Sequence, residues 1–515
     1  MATIEQGQGQ PWSNYHLNIA HTAKIAAYAS AGSESGLPGP ARFAATAAAV
    51  RSLIGGLGDE AGRLLTLGSG WSLSSLLDIG DVQFDPAAFC AVSPVFPGDL
   101  VPHPAVPADR LAYASGGAKI WQLSEFAEAR DRAIFTCGSY MGQSMAGSIA
   151  TGVNGSRLGY GAIQNMIRGL HFVTAPDRSV YVEPASRPVL SDAAALVFAD
   201  EVIRDDAIFD GCLVHLGGMG VVNGLVVELD VKRLFAVQRV RHQVDRNWLD
   251  QISRGDFEAV ATALGGRDAP AYYEVQVDPY DPWGSKALHS LYYDVEALEA
   301  GLASIEIEPS LDIIARIINH VPDLFAVYAS PLFFKETARG LPEGAVSWGT
   351  IHGKPPSTIL KARIRTAAIA LDRRMMIDTL PVMCQAMSDG LAREPLLHRR
   401  RHLLYTLRFV TAAAGAMAFT RFADTAVVDM EGFMDSPWSR DASAWTRDSL
   451  AGRFDYVPHW GKLDTGDAGL VRRQFGDAAD PASAAGRWTA ARGRLVPADA
   501  RHLFASPALR AWGLV

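Results

Sequence analysis

The residues of this chain best suited to chemistry are clustered backbone amides and hydroxyls rather than a set of charged side chains. From Cys137 to Ser156, and on through Gly159-Tyr160-Gly161, glycine, serine, threonine and alanine fill most positions and no proline interrupts them. Such a run cannot build a packed core, but it can bring many N–H groups close to a flat or anionic ligand, because glycine has no Cβ to hold that ligand away. A plain linker would be polar and featureless on both sides. Here Met166–Thr174 follows at once and reads as a buried strand, so the linker reading is set aside. A second turn, Gly68-Ser69-Gly70-Trp71-Ser72, follows the short strand Arg63–Leu67. Free amides and hydroxyls converge there as in a phosphate cradle, although an ordinary tight turn looks the same. A third, His215 to Leu229, imitates a dinucleotide fingerprint. Asn223 takes the place of the third glycine, and a β-branched strand follows where the Rossmann mechanism needs a helix N-terminus. That fold is excluded.

Two other patterns compete. Gly142-Gln143-Ser144-Met145-Ala146 resembles a nucleophile elbow, which makes a serine hydrolase using Ser144 the alternative from another class. An elbow passes into a helix, and the recurring glycine and threonine argue against one. His398 and His402 stand at i, i+4 as a metal pair would, but Arg399-Arg400-Arg401 between them favours a solvated or phosphate-facing basic face.

The elements that must position these groups are read from periodicity. Residues 1–35 are expected to form an entry arm pinned by Trp12, Tyr15, His16 and Leu17. Helices are predicted over Ala41–Leu57, Ile120–Arg130, 191–209, Ser310–Asn319, Thr358–Ile377, Pro381–Leu391 and Trp488–Leu495. Strands are predicted at Ala112–Ser115, Ser179–Val182, Val221–Leu229, Ala271–Val277 and Leu404–Val410. The stretch 281–360 has no clear reading. At 515 residues the chain is too long for one ordinary core. Net charge −8 gives no electrostatic case for nucleic acid or an anionic membrane. Four scattered cysteines, no basic-then-apolar leader and no long apolar run predict a cytoplasmic protein without a disulfide scaffold.

In order and spacing, GSGWS (Gly68–Ser72), AGSIATGVNG (Ala146–Gly155) and GGMGVVNG (Gly217–Gly224) resemble the FAD domain of the vanillyl-alcohol oxidase/para-cresol methylhydroxylase family. Pro458-His459-Trp460-Gly461-Lys462 and Arg408-Phe409-Val410 are similar to elements of its aldonolactone/alditol oxidase branch. The resemblance implies an α+β fold: a two-part FAD-binding domain (36–235 and the returning segment 451–515) with an α+β substrate cap (236–450). It implies FAD held by Gly68, Ser69, Gly70, Trp71, Ser72, Ser144, Gly147, Ile149, Thr151, Gly152, Asn154, Gly155, Ser156, Gly220, Val221, Val222, His459 and Lys462. Ser144 would lie near the substrate face, Lys462 near flavin N1 and O2, and Arg408 on the substrate; these three are the catalytic candidates. The implied reaction takes hydride from a C–H beside a hydroxyl or amine, with oxygen or another acceptor restoring the flavin. A redox-neutral or reductive flavoenzyme is the alternative within the fold.

The departures set further expectations. Trp71 and Gln143 stand where relatives carry the histidine and cysteine that bond to flavin, so the FAD is expected to be non-covalent. Asn154 replaces a histidine of the second motif. Thr406 stands where the sugar-oxidising branch has glutamate, so Arg408 is expected to lack its carboxylate partner and to favour an oxygen-rich or anionic group. The expected substrate is a larger, polar, cyclic specialised metabolite rather than a simple alditol. The base is left among Tyr405, Asp429, Glu431 and His352, without ranking.

Overall fold

A computed structural model describes residues 2–57, 62–78, 80–296, 344–347, 361, 363–394, 403–433 and 437–515. The helix expected at Ser310–Asn319, His352 and the His398–His402 pair lie outside the described residues.

Among the described residues, three larger sheets organise the chain. The first has strands Thr3–Gln8, Ile25–Ser30, Val82–Asp85 and Leu64–Thr66 side by side. The second orders Glu201–Arg204, Arg178–Glu183, Ile167–Ala175, Val221–Glu228, Leu111–Ser115 and Val92–Pro94. The third runs Gly344–Ser347, Leu234–Gln243, Lys286–Val295, Tyr272–Val277, Leu403–Thr411, Asp424–Phe433, Ile364–Asp372 and Tyr456–Pro458, every neighbouring pair antiparallel.

Residues 3–30, expected as an arm, instead supply two strands of the first sheet, because Ile25–Ser30 pairs in parallel with Val82–Asp85. Residues 191–209, expected to be helical, are so at Asp192–Ala195 and from Asp206 in the helix Asp206–Leu213, but between them hold the strand Glu201–Arg204, where pairing with Arg178–Glu183 overrides composition. Thr358–Ile377 was expected as a helix, but Ile364–Asp372 is a central strand between Asp424–Phe433 and Tyr456–Pro458. Its alanines suit either state, and the pairing partners decide.

The helix Gly39–Gly55 shows how the second sheet acquires its cover. Pro40 sits in the first turn, where a missing N–H costs nothing, and Gly55-Gly56 ends the helix. Phe43, Ala47, Val50 and Ile54 recur at helical spacing and are buried. Phe43 lies over Gly224, where a Cβ would come within 2.3 Å of its ring. The C-terminal segment joins the same core: Trp488 is fully buried and its Nε1 donates to the Val214 carbonyl at 3.0 Å.

The third sheet is two-faced. Tyr273, Val275, Leu407, Phe409, Val428, Met430, Ile369 and Leu371 pack with Met376, Leu380, Met383 and Met387 of the helix Met376–Arg393. The alternate positions, including Glu274, Thr406, Arg408, Asp429 and Glu431, point the other way by the period of two. Among the described residues no helix is long and apolar enough to cross a membrane.

Gly224→Ala should force the Phe43 ring to move in a fully packed layer and destabilise the protein by about 1–3 kcal/mol. Gly98→Ala, where nothing lies within 4 Å of the added Cβ, should stay within about 0.5 kcal/mol. Denaturant midpoints of the two variants, with unchanged slopes, check the pair.

Candidate functional site

The glycine turns meet around one cavity of about 320 Å³. The first leaves the strand Leu64–Thr66 and bends at Gly70, whose φ of +70° is a left-handed value that favours glycine. The second enters the short helix Met145–Thr151, where Ser144 Oγ accepts from the Gly147 N–H at 3.3 Å. A Cβ on either Gly68 or Gly147 would stand 2.8 Å from that same Oγ, so both positions need glycine for the turns to touch. The third turn is stitched to this helix: Leu216 N–H donates to the Ala150 carbonyl at 3.1 Å, and His215 Nε2 lies 3.3 Å from the Ala146 carbonyl.

The C-terminal loop closes the ring. Gly461 presents its carbonyl to the Leu73 N–H at 2.8 Å and to Ser72 Oγ at 3.1 Å. The N-terminal segment also reaches the first turn, through Tyr15 N–H to the Gly70 carbonyl at 2.7 Å and Asn14 Nδ2 to the Ser72 carbonyl at 2.9 Å. Tyr15 stacks on Trp71 with centroids 3.8 Å apart, and Tyr140 lies 4.0 Å from Trp71 on a tilted plane. Tyr15 belongs to the segment expected to be pinned to a surface and Tyr140 to the glycine-rich stretch, and Trp71 is where the two meet.

Of the sequence-predicted residues, Gly68, Ser69, Gly70, Trp71, Ser72, Ser144, Gly147, Thr151, Asn154, Gly220, Val222, Arg408, His459 and Lys462 line the cavity. Ile149, Gly152, Gly155, Ser156 and Val221 do not. Ile149 and Val221 belong to the hydrophobic core, Gly152 is the left-handed end of the short helix, and Ser156 is fully buried. Gly155 is pressed against Cys137, with a virtual Cβ 2.5 Å from its carbonyl oxygen. These five shape the walls from behind. Ser144 does lead into a helix, contrary to the expectation, yet among the described residues no histidine bonds its hydroxyl, which caps that helix instead.

Opposite the turns lies the polar face of the third sheet. Thr406 sits across from Asp429, Arg408 across from Glu274, and Glu431 across from Leu404. The expectation that Arg408 lacks a carboxylate partner is overturned: its Nε lies 3.5 Å from both Glu274 Oε2 and Asp429 Oδ2, and an Nη donates to Ser139 Oγ. Burial opposes the Arg408 charge, but Asp429 and Glu274 outweigh it and raise the guanidinium above its ordinary value. Lys462 is not a free cation either, because its ammonium is bonded to Asp429. Neighbouring strands supply these carboxylates, so no spacing within one motif announces them.

The same cluster separates the two carboxyls on the strand Asp424–Phe433. Burial pushes the Asp429 carboxyl up, but Lys462, Arg408 and the hydrogen bond from Lys462 bring it below its usual range. Glu431 goes the other way, raised by burial and then by the Asp429 charge against the weaker pull of Arg408 and Lys462. His459 is held neutral, its value pushed down to about 3 by burial and then by Lys462. Its Nδ1 accepts from the Gly461 N–H at 3.0 Å, so the ring shapes the loop rather than bonding the Lys462 ammonium. His16 is likewise lowered to about 4, by burial and then by Lys462.

Four polar atoms on residues that line the cavity are buried without a hydrogen-bond partner among the described residues: Ser69 Oγ, Gln143 Oε1, His16 Nδ1 and Arg408 Nε. Buried polar atoms are ordinarily paired, so these four are available to a ligand in the cavity.

No family model matches the chain. Its fold does recur among solved structures. A cholesterol oxidase from Brevibacterium sterolicum is similar at TM-score 0.68 and 11% identity, over 99% of this chain and 97% of that one. A solvent-stable cholesterol oxidase is similar at 0.67 and 13%, over 99% and 98%. A VAO-type flavoprotein from Myceliophthora thermophila C1 is similar at 0.55 and 11%, over 93% and 78%. The chain has a mixed helix-and-sheet fold of the VAO type.

Lys462→Met should reach beyond the surface, because it removes one of two cations beside a buried carboxylate. Breaking a buried pair costs about 3–5 kcal/mol, and here about 1–3 kcal/mol is expected because Arg408 remains. Since the folded Asp429 value is depressed, its contribution is present above the unfolded carboxyl range and lost as pH falls through the folded value. The gap in denaturant midpoint between variant and parent should therefore be full at neutral pH and close in acid.

Proposed function

We propose that this chain is an FAD-dependent oxidoreductase that takes hydride from a C–H beside a hydroxyl or amine. The observation that supports this most is the meeting of three glycine turns and the His459–Lys462 loop around one cavity, facing a charged sheet, in a VAO-type fold. The residues present fit the cofactor. Gly68 and Gly147 leave a wall that side chains would fill, and Ser69 and Gln143 offer buried polar atoms that need partners. Gly68–Ser72, Ser144, Gly147, Thr151, Asn154, Gly220 and Val222 would hold it on one side, and Lys462 and His459 on the other. Bound there, the flavin supplies the hydride acceptor that no side chain can provide.

The protein's own part is to bind, orient and manage protons. Arg408, held by Glu274 and Asp429 and meeting hydrogen-bond geometry at Nε with neither among the described residues, would turn its guanidinium to a substrate oxygen. Because its charge is already compensated, the expected preference for an anionic substrate falls away. Three carboxylates against two cations favour a neutral hydroxylated group or an amine. A polar cyclic metabolite remains the proposed class. Neither Trp71 nor Gln143 has a nucleophile to bond the flavin, and the Cys137 thiol is fully buried, with its value pushed up to about 12. The cofactor is therefore proposed to be held non-covalently.

Purified protein should be yellow or take up added FAD, and acid precipitation should leave the flavin in the supernatant. A colourless protein that takes up none would end the flavoprotein reading, whereas flavin retained in the pellet would end only the non-covalent one. Mixed without oxygen, a cyclic alcohol should bleach the flavin faster than a plain alditol; the reverse order would refute the substrate class.

A further inference from the structure

We propose that Glu431 is the catalytic base of this site, delivered across a strand pair to do what position 406 cannot, and that Thr406 is its positioning residue. This rests on the flavin-oxidoreductase reading. Thr406 has a hydroxyl, which cannot act as a base near neutral pH. Yet its Oγ1 donates to Glu431 Oε2 at 3.2 Å, so a carboxylate stands within one hydrogen bond of that position. The antiparallel register makes this possible. Thr406 faces Asp429 and Leu404 faces Glu431, which brings Thr406 and Glu431 together diagonally on the face that lines the cavity.

The neighbouring carboxylates are committed elsewhere. Asp429 bonds Lys462 and flanks Arg408, and Glu274 flanks Arg408 from the strand Tyr272–Val277. Protonating Asp429 would leave Lys462 without its carboxylate and Arg408 with Glu274 alone, which is costly in a buried site. Among the described residues Glu431 is bonded to no cation, only to the Thr406 hydroxyl. It can therefore gain or lose a proton without breaking an ion pair. The charged groups that face it are Asp429 on its own strand, Arg408 on the strand Leu403–Thr411, Glu274 beyond that, and Lys462 on the closing loop. From the strand on its other side, Ile364–Asp372, the residue opposite is Thr366, which does not titrate. Burial and Asp429 raise Glu431, which strengthens it as a base relative to an exposed carboxylate.

In the proposed step the ionised Glu431 accepts the substrate hydroxyl proton. The electrons of that O–H bond would become the second C–O bond, and the hydride released from the carbinol carbon would go to the flavin, which would supply the two-electron acceptor. The substrate would leave as a carbonyl compound two electrons poorer, and Glu431 would keep the proton. The Arg408 guanidinium would hold the substrate oxygen throughout.

The test uses the protein as purified, with xylitol, cyclohexanol and cholesterol each mixed without oxygen. In Glu431→Gln, flavin should still bind, but bleaching by the best of the three should slow by roughly 10²–10⁴-fold. In the parent, bleaching should fall in acid along a limb set by Glu431. Asp429→Asn should move that limb to lower pH, since it removes a negative neighbour and frees Lys462 to act on Glu431. Thr406→Val should move it to higher pH by removing a donor to the ionised form, and Thr406→Ser should restore it.

A readout independent of activity comes from melting. A raised folded value means that stability falls as pH rises through it. Glu431→Gln, which mimics the neutral form, should therefore melt above the parent at pH higher than the limb and together with it below. Bleaching within a few-fold of the parent rate in Glu431→Gln, or a melting difference that ignores pH, would overturn the proposal while leaving the flavoprotein intact. Absence of flavin, or of bleaching by all three alcohols, would overturn the underlying reading and the role of Glu431 with it.

Discussion

The site hangs on one buried carboxylate. Asp429 lies among charges on the polar face of the largest sheet, and an isolated ion there would cost several kcal/mol. Two cations from different parts of the chain offset that cost, Arg408 from the neighbouring strand and Lys462 from the loop after Tyr456–Pro458. The ion cluster therefore also acts as a clamp. It ties the C-terminal loop to the sheet, and the Gly461 carbonyl in that loop ties it in turn to the first glycine turn. The electrostatics of the cavity and its closure are one arrangement.

A second constraint is the absence of side chains where backbones meet. Gly68 and Gly147 approach the Ser144 hydroxyl from two sides, and any Cβ would push the turns apart. The Leu216 and His215 contacts to the helix Met145–Thr151 add the third turn. One wall is thus made of close backbone and small residues, and the facing wall of paired charges. A flat cofactor and a polar substrate would ask for these two surfaces, the first for close approach and the second for orientation and proton transfer.

The carboxyls of Asp429 and Glu431 are two residues apart on one strand but differ in role because their partners differ. Asp429 holds cations and stays ionised. Glu431 has a hydroxyl partner and a negative neighbour, so its proton is held more tightly. The sequence shows an aspartate and a glutamate with strand spacing. Which of them is stabilised as an anion depends on the residues across the strand.

By itself the sequence determined the local grammar: the glycine turns, the strands between them, the exclusion of a Rossmann helix at Asn223, and helix Gly39–Gly55. Those features follow from backbone freedom and short-range periodicity, which act within a few residues. Tertiary structure decided what long-range pairing controls. Ile364–Asp372 is a strand because two strands flank it, and Thr3–Gln8 and Ile25–Ser30 join a sheet because Val82–Asp85 offers an edge. Arg408 finds Glu274 and Asp429, and Thr406 finds Glu431, through cross-strand register, which no linear spacing encodes. Side chains far apart in sequence interact only after the sheet has set their distance, so the chemistry of this site belongs to the pairing rather than to any motif.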